Sequence, residues 1–115
     1  MFVVLLLFYL FGFSLAALPG YKVIEFNQTA RGFSGSLQVV NPSHLYDVDI
    51  SPLGFVVEYT SDTIIHIKIF DNVNPRWEVP FVVDTNNTST QNLTNPQYSF
   101  SFQKDFFTFS VIRKR

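Results

Sequence analysis

Hydrophobic and polar residues alternate along most of this chain with the two-residue period of half-buried β-strands. In the clearest run, Ile65, Ile67 and Ile69 alternate with residues of mainly polar character. Further alternating runs occupy residues 21–27, 36–40, 54–60, 98–103 and 106–113. Turn-forming residues separate these runs, and helical periodicity is almost absent after residue 16. The pattern predicts an all-β fold built from antiparallel strands.

The spacing of the runs predicts two hairpins. Residues 55–70 form one hairpin around a turn at Ser61 and Asp62, and residues 98–113 form the other around Lys104 and Asp105. Four phenylalanines would give the second hairpin a strongly apolar face: Phe100, Phe102, Phe107 and Phe109. The predicted architecture is an antiparallel β-sandwich. Because its last aromatic strand would leave an apolar sheet edge, we expect further sheet to follow, which makes the predicted sandwich incomplete.

The stretch from residue 60 to residue 80, TSDTIIHIKIFDNVNPRWEVP, joins the clearest strand to a turn and then to a short second element over residues 76–80. Its sequence resembles the N-terminal, galactose-mutarotase-like β-sandwich domain of family 31 glycoside hydrolases, the α-glucosidases and their relatives. The shared residues here are Asp62, Ile67, Lys68, Ile69, Asp71, Arg76, Trp77, Glu78, Val79 and Pro80. Residues 20–23, 49–53 and 107–114 resemble further segments of that domain in the same order.

The resemblance implies a domain without an active site. In family 31 the catalytic carboxylates lie on a (β/α)8 barrel that follows the N-terminal domain, and their Trp-x-Asp-Met-Asn-Glu signature is absent from this sequence. The implied partner is therefore the barrel of a longer protein, with α-glucan or maltose-type oligosaccharide as a further candidate. No catalytic residue is carried over, and the family-like framework residues are Asp49, Lys68, Asp71, Arg76, Trp77, Glu78 and Pro80.

Trp77 has two interpretations. The resemblance favours a buried framework anchor between Arg76 and Glu78, whereas an exposed indole could stack on a sugar ring. The second interpretation belongs to an alternative function, a free-standing secreted carbohydrate-binding or protein-binding sandwich. A third hypothesis is an inactive product of a truncated gene or misassigned reading frame.

Residues 1–16 are apolar and uncharged, which is typical of a secretory signal peptide. Ser14 and Ala16 suit the −3 and −1 positions before cleavage. A stable membrane span needs about 20 apolar residues, and Pro19 and Gly20 interrupt this run earlier. Cleavage would leave residues 17–115 as one domain, directed to an extracellular, lysosomal or vacuolar compartment.

Four Asn-x-Ser/Thr patterns agree with a secretory route and are candidates for N-glycosylation: Asn27, Asn86, Asn87 and Asn92. Three of the four lie in residues 84–97, the most polar stretch of the chain, which we predict to be a surface loop. Asn86 and Asn87 are adjacent, so we expect at most one of them to carry a glycan.

Composition excludes several classes of function. The 115 residues are too few for a barrel of about 250 residues, and the absence of cysteine excludes disulfides and thiol chemistry. The formal net charge of −1 gives no basic surface for nucleic acid. His44 and His66 lack the neighbours of a zinc site, and Asp47 with Asp49 lacks the remaining ligands of a calcium loop. The sequence predicts no metal and no cofactor.

Overall fold

Six β-strands form two antiparallel sheets in the part of the chain that the computed structural model describes, residues 17–80 and 92–115. The first sheet has the strand order β1-β2-β3-β4, and the second is the β5–β6 hairpin. The strands are β1 (Gly20–Thr29), β2 (Gly32–Asn41), β3 (Leu53–Ser61), β4 (Ile64–Asp71), β5 (Tyr98–Gln103) and β6 (Thr108–Arg113). The described residues form no helix, so none of them belongs to a helix that could span a membrane.

This architecture confirms the all-β prediction and both predicted hairpins. The observed β5 matches the predicted strand, whereas β6 begins two residues later than predicted because residues 104–107 form the turn. The short second element predicted for residues 76–80 is wrong as a strand, since these residues have no ladder partner among the described strands. The predicted signal peptide, and Asn86 and Asn87 of the predicted loop, lie outside the described residues.

Among residues 17–80 and 92–115, three side chains form the buried centre of the fold. Leu37 of β2 and Phe55 and Val57 of β3 are each 1% exposed. The β3–β4 register places Phe55 opposite Ile69 and Val57 opposite Ile67, so the alternate residues predicted to share a face do so. The core therefore lies on one face of the four-stranded sheet, centred on β3.

The β5–β6 hairpin covers this face with aromatic side chains. The Phe107 ring centroid lies 5.3 Å from that of Phe55, and the Phe102 centroid lies 5.1 Å from that of Phe26. Both separations fall within the range of favourable aromatic pairs, which add about 0.5–1.5 kcal/mol each to the burial of apolar area. Gly35 permits the approach of Phe55, since a side-chain carbon at that position would lie 2.6 Å from the Phe55 ring.

Backbone hydrogen bonds fix the position of the hairpin over the sheet. The Val23 N–H of β1 donates to the Lys104 carbonyl over 2.9 Å, and the Phe107 N–H donates to the Tyr21 carbonyl over 2.7 Å. At the other end of the hairpin, the Gln97 N–H donates to the Asp62 carbonyl over 2.7 Å. The second sheet is therefore attached both at its turn and at its entry, in addition to its aromatic contacts.

Truncation of a core leucine should destabilise the chain far more than truncation of an exposed one. Leu37→Ala should lower the free energy of unfolding by about 2–5 kcal/mol, because it leaves a cavity beneath the hairpin. The matched control is Leu45→Ala, whose side chain is 71% exposed and whose loss should change stability by no more than about 0.5 kcal/mol. Urea unfolding measures both values, and equal losses would contradict the assignment of the core.

Candidate functional site

The family-like residues after β4 form a loop that is attached to the end of that strand, and we call residues 71–80 the Trp77 segment. Asp71 ends β4, and its Oδ1 accepts hydrogen bonds from the N–H groups of Val73 and Asn74, each over 3.0 Å. Its Oδ2 accepts a hydrogen bond from Nε of Arg76 over 3.2 Å. The Asp71 side chain is only 3% exposed. One carboxylate therefore binds the loop at three points.

A second link joins the Trp77 segment to the middle of β4. Nζ of Lys68 lies 2.7 Å from Oε1 of Glu78, and 2.8 Å from its Oε2. Both side chains are largely solvated, and an ion pair of this kind contributes about 0–1 kcal/mol. The ion pair therefore adds little stability, but it attaches the loop to β4 at a second point, Glu78, which lies seven residues after Asp71.

Trp77 lies between these two links and is 82% exposed. The prediction that Trp77 is a buried framework anchor is therefore wrong for the described chain. The physical reason is the alternation of the segment: Arg76 and Glu78 both turn back towards β4, which leaves the residue between them on the opposite side. Pro80 follows as another exposed residue.

Asp49 performs the same task in the loop between β2 and β3. Its Oδ1 accepts a hydrogen bond from the Ser43 hydroxyl over 2.8 Å. Its Oδ2 accepts hydrogen bonds from the N–H groups of Ser43 and His44. Asp49 thus closes a loop in which His44 and Asp47 adopt positive φ angles. Its oxygens bind donors of the loop itself, and the described residues contain no group of three potential metal ligands.

Asp62 connects the β3–β4 turn to the peptide that leads into β5. Its Oδ2 accepts a hydrogen bond from the Thr94 hydroxyl over 2.8 Å, and its Oδ1 accepts one from the Thr94 N–H over 3.1 Å. Sequence reasoning included Asp62 in the family-like motif but missed this contact. The two residues are 32 positions apart, and no local pattern indicates that they meet.

Hydrogen bonding lowers the pKa of all three of these carboxyl groups. For Asp49 the main cause is the Ser43 hydroxyl, for Asp62 it is the Thr94 hydroxyl, and for Asp71 it is the Asn74 N–H. A general acid that works near neutral pH needs the opposite shift. The geometry therefore gives these aspartates a structural task, and the arrangement as a whole positions loops and presents Trp77 to solvent.

The two described glycosylation candidates occupy different settings. Asn27 is an exposed residue near the end of β1. Asn92 is exposed in the peptide before β5, two residues from Thr94. Both side chains face solvent, so the fold has room for a glycan at either position.

The fold is thus a β-sandwich in which three aspartate side chains hold loops in place, and comparison with known proteins shows what the chain is similar to. The chain is 29% identical over 112 residues to α-xylosidase 1 of Arabidopsis thaliana, covering 83% of this chain and 12% of that protein. It is 28% identical over 104 residues to glucoamylase 1 of Schwanniomyces occidentalis, and 29% identical over 96 residues to lysosomal α-glucosidase of Mus musculus. These matches cover 85% and 84% of this chain, but 11% and 10% of the relatives.

These similarities confirm the resemblance to the α-glucosidase-like proteins of glycoside hydrolase family 31 that was inferred from the sequence. The chain spans about a tenth of the length of the relatives it matches. No protein-family model matches the chain.

Acidification should destabilise the folded chain, because it protonates three aspartates that accept hydrogen bonds from loops. Each has a lower pKa in the folded state than in the unfolded chain, so the unfolded state binds protons more readily. The resulting stabilisation is present above the unfolded value of about 3.9 and is lost as pH falls through the folded values.

Urea midpoints measured from pH 7 down to pH 2.5 should therefore decline most steeply at the acid end of that range. Asp62→Asn removes one of the three groups, and its decline should be shallower than that of the parent chain. A variant decline as steep as the parent's would contradict the structural assignment of Asp62.

Proposed function

We propose that residues 17–115 form a non-catalytic N-terminal β-sandwich domain of a larger α-glucosidase-like glycoside hydrolase, and that residues 1–16 are its signal peptide. The observation that carries this proposal is the asymmetry of coverage, since the match to α-xylosidase 1 takes in 83% of this chain but 12% of that protein. Asp49, Asp62 and Asp71 accept hydrogen bonds that lower their pKa, which favours a structural role for them over a catalytic one. The framework residues then maintain the loops of the domain.

The proposed partner is the catalytic region of the larger protein, a (β/α)8 barrel. That barrel would perform retaining hydrolysis of α-glucosides with two carboxylates, and this domain would support it and shape the rim of its substrate pocket. Exposed apolar side chains on the Trp77 segment agree with a surface that another part of the protein covers. They are Val73, Trp77 and Val79.

A secretory route to an extracellular, lysosomal or vacuolar compartment is part of the same proposal. One relative is named as a lysosomal enzyme. The apolar segment of residues 1–16 and the four Asn-x-Ser/Thr patterns support the same route.

A second candidate function is carbohydrate binding by the domain itself, with α-glucan or maltose-type oligosaccharide as ligand. The specific observation in its favour is Trp77, whose exposed indole could stack on the C–H face of a pyranose ring. Links on both sides of Trp77 would hold the indole in place for such a contact.

One sample of the purified chain distinguishes the two candidates. Trp77 is the only tryptophan, so its fluorescence reports directly on contact with a sugar. Titration with maltotriose should leave the emission unchanged if the domain only supports a catalytic region. A saturable blue shift or quenching that cellotriose does not cause would instead support the carbohydrate-binding function.

The same sample should not hydrolyse maltose or 4-nitrophenyl α-glucoside, because the chain lacks the catalytic signature of the barrel. A full-length family 31 enzyme provides the positive control for the assay. Turnover that copurifies with the chain would contradict both candidate functions.

A further inference from the structure

The peptide before β5 contains a glycosylation pattern whose threonine is already bound within the fold. Asn92, Leu93 and Thr94 form the pattern Asn-x-Thr, and Asn92 is exposed to solvent. Both polar groups that Thr94 can donate are bound to Asp62, the hydroxyl over 2.8 Å and the N–H over 3.1 Å. The acceptor asparagine is therefore accessible, whereas the hydroxyl that completes the pattern is not free.

This hydroxyl matters because the pattern requires it. N-glycosylation forms a bond between Nδ2 of the asparagine and C1 of the first sugar, and it breaks the bond between C1 and the pyrophosphate of a lipid-linked oligosaccharide donor. The amide releases one proton to solvent, and the lipid pyrophosphate leaves with the electron pair of the broken C1–O bond. Only asparagines followed two residues later by serine or threonine are accepted, so the transferase must bind that hydroxyl.

Further contacts hold the same peptide in place. The Gln97 N–H donates to the Asp62 carbonyl, and the Gln97 carbonyl accepts from the Lys114 N–H, each over 2.7 Å. A transferase could not extract residues 92–94 into its active site without breaking the bonds to Asp62.

Asn27 gives an internal reference within the same chain. It is also exposed and is followed by Thr29, the last residue of β1. Its pattern lies within β1 and makes none of the Asp62 contacts described above. A change that acts only through Asp62 should therefore alter Asn92 and leave Asn27 unaffected.

We propose that the Asp62–Thr94 contact controls glycosylation of Asn92, which accepts a glycan only while Thr94 is free of Asp62. Occupancy at Asn92 then reports whether glycan transfer or closure of this contact occurs first. Because Asn92 itself is exposed, the contact can still close after the glycan is attached. The inference rests on the proposed secretory route.

The test compares two variants of the full chain secreted from cultured eukaryotic cells, both carrying Asn86→Gln and Asn87→Gln so that only two patterns remain. Asp62→Ala removes the contact to Thr94, whereas Asp71→Ala is a matched control that removes a carboxylate anchor from another loop. Glycopeptide mass spectrometry measures the occupancy of Asn92 relative to that of Asn27. We expect Asp62→Ala to raise this ratio by about twofold or more, because hydrogen bonds to a charged acceptor are among the stronger ones, and Asp71→Ala to leave it unchanged.

Several results would overturn the proposal. An unchanged ratio in Asp62→Ala, an equal rise in Asp71→Ala, or complete occupancy of Asn92 in the parent would each show that Asp62 does not control the site. Glycan on Asn27 in any of these cases would leave the secretory route intact. Absence of glycan from both asparagines would instead contradict the secretory route, and with it this inference.

Discussion

Contact between the Phe55 ring and the β5–β6 hairpin is the interaction on which the rest of the described fold depends. The chain has no cysteine, so no disulfide bond can link the two sheets. Phe55 is fully buried and contacts Phe102 and Phe107 of the hairpin. This contact brings residues 94–97 beside the β3–β4 turn, where Asp62 can bind them. Aromatic packing therefore determines which polar contacts become available.

The aspartates of the family-like segments hold loops in place through hydrogen bonds. Asp49, Asp62 and Asp71 each receive hydrogen bonds from a nearby loop, and each has a lowered pKa as a result. A glycosidase needs a carboxyl group whose pKa is raised and which can reach the scissile bond. Residues that define the resemblance in this part of the chain thus maintain loop geometry, which agrees with a domain that supports catalysis performed elsewhere.

Alternation alone predicts the strands and hairpins well, because a half-buried strand must place every second residue towards the core. Ile67 opposite Val57 is one example in which the predicted face is the observed one. Sequence reasoning fails for Trp77, whose exposure depends on side-chain links from its two neighbours to β4. It also cannot predict the contact between Asp62 and Thr94, since only the docking of the hairpin brings such distant residues together.

The central claim is that this chain functions as one domain of a larger glycosidase. The most direct measurement is the size of the native polypeptide, detected in secreted and vesicular fractions with an antibody against the purified chain after removal of N-glycans. The account predicts a band several times larger than a 115-residue chain, because the related enzymes are that much longer. A single band at the size of the chain, or of residues 17–115 alone, would contradict it.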